Sequence, residues 1–318
     1  MKSYSSLITE ETKYEVCLYK TLINKASINK ASNPVLSLLR LVITALVMLS
    51  ALTLNAQAAT VSVSNYPLFL LSEAVTIGAP SAKQLLDPEE VGHHGSISPG
   101  DIKNIQDSKF VVWFGTALEN NLAASLQDAP NAISLFAFDA FNRQPLRDVK
   151  GAPINGTLDP HIWLDPENAK AITRALAVIH SHANPQYKAL YQANAQRFAQ
   201  RMDQAVALQN SQLKLNQPRA YWAYHDAYQY IEPAANFRLV GSLSRDHHLA
   251  PKASQIRWLS EQRPAKTMCL VAQSTPAKGL LAKLQPVTAT VQLEDMSAST
   301  DFVQGWRGMS EQIGRCIG

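Results

Sequence analysis

The sequence has few charged residues and few glycines, and each shortage excludes a class of protein. Only 17% of the 318 residues are charged and 46% are hydrophobic, which is too apolar for a chain that is disordered throughout. With 13 glycines and 17 prolines, a collagen-like repeat and a low-complexity chain are also excluded. No internal sequence repeat is visible. The chain is long enough for two globular domains.

An excess of charge of one sign is also lacking. The formal net charge is +4, from 29 Lys and Arg against 25 Asp and Glu. Residues 1–58 contain six of the basic and three of the acidic residues, so residues 59–318 contain 23 basic and 22 acidic ones. Because a nearly neutral body has no basic stripe to contact phosphates, no nucleic-acid partner is expected.

Long hydrophobic runs are missing except near the N-terminus, where residues 34–54 read PVLSLLRLVITALVMLSALTL. The apolar core of this run is shorter than the roughly 20 residues that span a bilayer. The small-residue triplet Ala56-Gln57-Ala58 follows directly. This pattern is typical of a cleavable signal peptide, so residues 1–58 are predicted to be removed and the mature chain to be exported. A retained N-terminal anchor is the alternative.

Residues 1–33 are unusually long for the charged part of a signal peptide, which indicates a start site placed too far upstream. Cysteine is scarce as well. Cys17 lies in the predicted signal region, which leaves Cys269 and Cys316 as an even pair in an oxidising compartment. We expect a disulfide between them, and two buried free thiols are the alternative.

Short β-branched runs alternate with helical patterns from residue 60 to the C-terminus, which is typical of an α/β protein. In the first half, strands are predicted at 60–64 and 110–114, and helices at 67–75, at 98–106 and from Asp165 onward. In the second half, strands are predicted at 220–224, 237–243, 267–272 and 287–293, and helices at 227–233, 250–261, 276–284 and 301–316.

A single long helix is predicted between the halves. Residues 186–215 keep mostly apolar residues at spacings of three and four, and such a helix would be about 45 Å long. Two helices with a break near Gln196 are the alternative. The predicted fold therefore has two Rossmann-like lobes, at residues 59–184 and 216–318, joined by one backbone helix at residues 185–215.

Three segments carry histidine in settings typical of a binding site. His93 and His94 lie in a polar loop flanked by glycine, His161 lies in a segment bracketed by prolines, and His225 directly follows an apolar strand. Ligands of open α/β sheets gather beyond the carboxyl ends of strands, and neutral imidazoles are suitable zinc ligands. No H-E-x-x-H motif of a metalloprotease occurs. These patterns alone leave open whether the histidines bind metal or are hydrogen-bonded structural residues.

The same segments resemble the periplasmic substrate-binding proteins of zinc and manganese ABC importers, most closely the zinc-specific type. The resemblance rests on three ordered signatures: HHGSISPGD at residues 93–101, DPHIWLDP at residues 159–166 and HDAY at residues 225–228. Residues 111–119 match the family's strand and loop. Cys269 and Cys316 match the disulfide of its zinc-uptake members.

The resemblance implies a metal site in the cleft between the lobes, with three histidine ligands: His93, His161 and His225. His94 takes the place of a residue that is not a ligand. The family's carboxylate near the last strand usually stands in a Leu-Asp-Pro-Leu context, whereas this chain has Glu294 and Asp295, so either of these, or water, would complete the shell. The histidine-rich loop of many zinc-uptake members is missing, since residues 120–155 contain no histidine.

The resemblance further implies a monomeric receptor that performs no catalysis, carries Zn²⁺ as its transported ligand and delivers it to an inner-membrane ABC permease. Three histidines with at most one carboxylate favour zinc over manganese or ferrous iron, which prefer more oxygen donors. A manganese or iron receptor of the same fold is the nearest alternative. An exported zinc hydrolase, with Asp226 or Glu294 as its base, and a metal-blind adhesin are alternatives of other classes. The doublet His247-His248 is expected to be a surface pair or a weak auxiliary metal contact.

Overall fold

A computed structural model of the protein describes residues 60–87, 97–212, 218–245 and 249–318. The predicted signal region, the loop with His93 and His94, and the doublet His247-His248 lie outside the described residues. The described part contains two four-stranded parallel sheets and one long helix, as the sequence predicts.

The first sheet has the strand order β2-β1-β3-β4. Its strands are β1 (Val61–Val63), β2 (Lys83–Gln84), β3 (Phe110–Trp113) and β4 (Ala132–Ser134), all parallel. The helices of this half are α1 (Tyr66–Thr76), α2 (Pro99–Asp107), α3 (Ala123–Leu126) and α4 (Pro166–Ala183). The predicted strands at 60–64 and 110–114 are confirmed, whereas β2 and β4 are too short to give a clear pattern in the sequence.

Two helices of this half begin where their capping residues place them. Ser98 and Asp101 form a reciprocal capping box at the start of α2. Asp165 caps α4 by accepting a hydrogen bond from the backbone N–H of Glu167. A proline stands in the first turn of each helix, where its missing N–H costs nothing. The start of α4 therefore positions the segment that carries His161.

The second sheet has the same topology as the first, with the strand order β6-β5-β7-β8. Its strands are β5 (Arg219–His225), β6 (Phe237–Ser244), β7 (Met268–Ala272) and β8 (Val287–Val291), all parallel. The helices of this half are α6 (Glu232–Ala235), α7 (Ala253–Glu261), α8 (Lys278–Lys283) and α9 (Phe302–Ile317). The four predicted strands and the helices corresponding to α7, α8 and α9 are confirmed.

The helix predicted at residues 227–233 is wrong. Residues 226–228 have no regular structure, residues 229–231 form a turn, and α6 begins only at Glu232. The cause is Pro233, which stands in the first turn of α6 and not at the end of a helix. The residues that directly follow His225 therefore lie outside any helix.

The long helix α5 (Lys188–Gln212) runs for 25 residues without a break near Gln196. It contacts α1 and α4 of the first half and α6 and α9 of the second. One hydrophobic core also joins the halves, because Val112 of the first sheet, Phe198 of α5 and Val271 of the second sheet belong to the same buried cluster. The helix and this core hold the carboxyl ends of the two sheets in a common structure.

Cys269 of β7 and Cys316 of α9 form the predicted disulfide. Cys269 is almost fully buried, so the bond ties the last helix to the middle of the second sheet. Among the described residues, no helix combines the length and the apolar character that a bilayer span would need.

Candidate metal centre

His225 is the last residue of β5, which is one of the two central strands of the second sheet. The chain leaves β5 toward β6 on one side, while β7 lies on the other, so the strand order reverses at this point. Ligands of open α/β sheets bind in the crevice at such a reversal. His225 is buried, with 8% of its surface exposed.

His161 is held by the carboxylate two residues before it. Asp159 Oδ1 accepts hydrogen bonds from the backbone N–H of His161, at 3.0 Å, and from its ring Nδ1, at 2.7 Å. Because an ionised carboxylate can only accept, Nδ1 carries the proton and the lone pair of the ring is on Nε2. A carboxylate that orients a histidine in this way is the usual arrangement behind a metal-binding imidazole.

The two imidazoles lie next to each other. The ring centroids of His161 and His225 are 5.6 Å apart, with an angle of 64° between the planes. Trp163 packs its ring at 5.4 Å from His161 and donates its indole N–H to the backbone carbonyl of Glu294, at 2.9 Å. The structure therefore brings His161, His225 and the segment with Glu294 to one place.

Glu294 and Asp295 differ in their surroundings. Both carboxylate oxygens of Glu294 are buried. The side chain of Gln273 approaches them closely enough to lower the pKa, but not with the geometry of a normal hydrogen bond. Burial raises the pKa of the Glu294 carboxyl, while the nearby His161 lowers it. Asp295 instead accepts a hydrogen bond from the backbone N–H of Ser297, at 2.9 Å. Burial and, in second place, the charge of Asp295 raise the pKa of Tyr66. The charges of Glu294 and His161 act on each other: Glu294 raises the pKa of His161, and His161 lowers the pKa of Glu294.

Three carboxylates act on His161. Burial lowers the pKa of this imidazole, but Asp159, Glu294 and Asp226 raise it, and the net shift is upward. Carboxylates around a buried imidazole stabilise positive charge at this place, whether it is a proton on the ring or a bound metal ion.

The described residues contain only part of the predicted ligand set. His93 and His94 lie outside them. Within the ranges that the structure describes, no group of three His, Cys, Asp or Glu side chains has the geometry of a metal-binding cluster. The described part of the candidate site thus consists of His161 and His225, with Glu294 beside them.

Sequence reasoning missed two residues that support this site. Asp159 orients His161, and the Asp-x-His spacing is the signal that could have indicated this role. Arg147 forms a buried ion pair with Asp226, the residue considered above as a hydrolase base, so both oxygens of that carboxylate are already engaged. A single arginine in a loop gives no signal in one sequence.

The equivalent position of the first sheet is occupied by a buried carboxylate. Glu119 lies between the carboxyl ends of β1 and β3 and is fully buried. It accepts hydrogen bonds from Ser64 Oγ, from Asn65 Nδ2 at 2.6 Å, and from the backbone N–H groups of Phe114 and Gly115 at 2.8 and 3.1 Å. Burial raises the pKa of Glu119 to about 7 although these hydrogen bonds lower it.

Two parallel sheets joined by a long helix, with His225 at the end of a central strand and His161 next to it, are the arrangement of an α/β substrate-binding protein. The sequence profile of the family described as periplasmic zinc-uptake complex component A, ZnuA, matches residues 61–315. The chain belongs to this family. Its members are binding proteins, so the prediction that the chain is not an enzyme is confirmed.

Two relatives and one solved structure illustrate the similarity. The high-affinity zinc uptake system protein ZnuA of Brucella abortus is 23% identical over 241 residues, which are 64% of this chain and 72% of the relative. The protein of the same name from Haemophilus ducreyi is 24% identical over 281 residues, covering 79% of this chain and 91% of the relative. A crystal structure of ZnuA has a TM-score of 0.66 at 17% identity, covering 82% of this chain and all of that one, and confirms the fold.

Proposed function

We propose that this chain is the receptor of a zinc-uptake ABC system, which binds Zn²⁺ in the periplasm and delivers it to an inner-membrane permease. Family membership over residues 61–315 supports a part in zinc uptake. The observation that carries the binding role is the pair His161 and Asp159, which faces His225 next to the buried Glu294.

The ligands that we propose are His93, His161 and His225, with the carboxylate of Glu294 as the fourth donor. Glu294 is preferred to Asp295 because its oxygens make no normal hydrogen bond within the described residues, whereas Asp295 accepts one from Ser297. Three imidazoles and one carboxylate suit a four-coordinate zinc ion.

Zinc is the proposed cargo in preference to manganese or ferrous iron. Those ions prefer more oxygen donors and a higher coordination number than this donor set offers. The proposed mechanism is reversible coordination and not catalysis. Because the imidazoles must be deprotonated to coordinate, zinc affinity is expected to fall as the pH drops through the histidine range.

The remaining parts of the proposal concern the mature chain. It begins at Ala59 after removal of the signal region, acts as a monomer in the periplasm, and holds the ion in the cleft between lobes at residues 59–184 and 216–318. The position of His225 at the end of a central strand supports a site in such a cleft. Mass spectrometry of the periplasmic protein tests the processing site, and a mass that retains residues 1–58 would contradict it.

Calorimetric titration of purified, metal-free protein with Zn²⁺ tests the binding site. The wild-type chain should bind one ion, and replacement of His93, His161 or His225 by Ala should weaken binding by orders of magnitude. Glu294→Gln should weaken it less, because water can replace one oxygen donor. His94→Ala is the matched control. Normal binding by His93→Ala together with weak binding by His94→Ala would shift the ligand by one residue, and normal binding by all four histidine variants would place the site elsewhere.

A further inference from the structure

A hairpin of the first half docks on the second sheet beside the candidate site. We refer to residues 146–154 as the hairpin, in which Arg147 and Pro153 form an antiparallel bridge. Its tip is fixed because the backbone carbonyl of Val149 accepts hydrogen bonds from Ser242 N at 3.0 Å and from Gln255 Nε2 at 2.8 Å. The hairpin is therefore anchored to β6 and α7, close to the end of β5.

The base of the hairpin inserts Arg147 between two carboxylates. Its Nε and Nη2 each donate to one oxygen of Asp226, both at 2.7 Å. Its Nη1 and Nη2 donate to the two oxygens of Glu232, at 3.0 and 2.7 Å. Tyr221 Oη donates to Glu232 as well, at 2.8 Å. The three charged side chains are only 10–12% exposed, so the cluster is largely removed from water.

Asp226 would be close to a metal ion if it were released. It directly follows His225 in the chain, and the ring of His225 lies 5.6 Å from that of His161. A buried carboxylate without a partner is strongly unfavourable, so it gains most from any nearby cation. The bidentate pair with Arg147 provides each of its two oxygens with a charge-assisted hydrogen bond and fixes the orientation of the carboxylate.

We propose that Arg147 is a specificity-determining residue, which holds Asp226 away from the bound ion and so keeps the site rich in nitrogen donors. An additional carboxylate would raise the number of oxygen ligands and favour manganese over zinc. Lysine could not replace the arginine fully, because its point charge cannot bind both oxygens in a planar fork. This inference rests on the proposed function, since it concerns the selectivity of the same site.

Competition of Zn²⁺ and Mn²⁺ against a chromophoric chelator tests the proposal. In Arg147→Gln, the preference for Zn²⁺ over Mn²⁺ should fall by about tenfold or more, because substitution of a residue in the outer shell of a metal site typically changes metal affinity by about 10–100-fold. The double variant Arg147→Gln/Asp226→Asn should regain most of the preference, because the released carboxylate is no longer charged. The absorption spectrum of bound Co²⁺ gives a second readout: its d–d bands should weaken in Arg147→Gln, as coordination number rises, and recover in the double variant.

Arg143→Gln is the matched control. Arg143 lies just before the hairpin in the chain, but it donates to the backbone carbonyls of Phe136 and Phe138. It should keep the wild-type preference. If Arg147→Gln does not fold, Arg147→Lys takes its place and should show an intermediate loss. An unchanged preference and Co²⁺ spectrum in the Arg147 variant, or no recovery in the double variant, would overturn the inference alone. Wild-type protein that binds neither metal would overturn the proposed function as well.

Discussion

Asp159 makes three different contacts with its two oxygens and so connects the candidate ligand His161 to the second half. Oδ1 accepts the backbone N–H and the ring Nδ1 of His161, while Oδ2 accepts the amide of Gln229 at 3.2 Å. The carboxylate therefore sets both the tautomer and the direction of the imidazole.

Asp159→Asn is expected to weaken zinc binding by about 10–100-fold without removing a proposed ligand. The amide is neutral, so the imidazole becomes less basic, and it can present its NH₂ to the ring and select the wrong tautomer. Calorimetric titration with Zn²⁺ measures the effect. Asp107→Asn, at the exposed end of α2, is the control and should bind as the wild type does. Equal affinities of the two variants would show that Asp159 has no such role.

Glu119 predicts a pH dependence of stability. Its pKa is about 7 in the folded protein and about 4.5 without the fold, so between these values the folded chain keeps a proton that the unfolded chain releases. Its contribution to the free energy of unfolding is thus fully present below about pH 4.5 and is lost as the pH rises to about 7, by on the order of 3 kcal/mol.

Urea denaturation of metal-free wild type and Glu119→Gln at pH 5 and pH 7.5 measures this contribution. The wild type should lose stability relative to the variant as the pH rises, because glutamine does not titrate. The same wild-type-to-Glu119→Gln difference at both pH values would contradict the prediction.

Single residues of the site divide into those that a sequence can reveal and those that it cannot. His161 and His225 are predictable because each stands in a recognisable local pattern. The orienting role of Asp159 is visible in the same pattern, two residues away. The pairing of Arg147 with Asp226 is not, because 79 residues separate them and only the folded chain brings them together.

At the scale of elements, the strands and helices with a clear periodic pattern are the predictable ones. The α5 helix is found as one piece because residues 188–212 keep its apolar spacing without interruption. The strands β2 and β4, with two and three residues, depend on neighbours in the sheet for their conformation. The failed helix at residues 227–233 shows that a proline can begin a helix as well as end one.

Gly241 of β6 permits the hairpin to pack on the second sheet. A Cβ atom at this position would lie 2.7 Å from Trp258 Cζ3, 2.9 Å from Leu259 Cδ2 and 3.0 Å from the carbonyl oxygen of Val149. Gly241→Ala is therefore expected to destabilise the protein by about 1–3 kcal/mol, as overpacking of a core does. Equilibrium denaturation in urea checks this value.

Gly308→Ala in α9 is the matched control, since among the described residues no atom beyond its chain neighbours and the nearby backbone of α9 lies within 4 Å of the added Cβ. It should stabilise the protein by about 0.5–1 kcal/mol, because alanine is the better helix former. A neutral or stabilising Gly241→Ala would mean that α7 and the hairpin can move aside.

At the scale of the whole molecule, the disulfide adds a covalent connection to the shared core. Cys269 and Cys316 are 47 residues apart, so the bond is expected to stabilise the fold by about 4 kcal/mol through the entropy of the unfolded chain. The variant Cys269→Ala/Cys316→Ala should lose stability of this order in urea denaturation. Reducing agent should destabilise the wild type but not the variant.

Thiol labelling of the unfolded, unreduced mature protein gives an independent measurement. No free thiol should be found, because Cys17 lies in the region predicted to be removed. Two labelled cysteines would show that the bond does not form in the cell.

The two sheets have the same strand order but place different residues at the point where that order reverses. The orders β2-β1-β3-β4 and β6-β5-β7-β8 are the same plan built twice, although no sequence repeat connects the halves. Each copy has a crevice where its strand order reverses. In the first sheet the carboxylate of Glu119 occupies this crevice. In the second sheet the strand at this point ends with His225. The same point of the topology therefore holds a buried, hydrogen-bonded carboxylate in the first half and the proposed ligand His225 in the second.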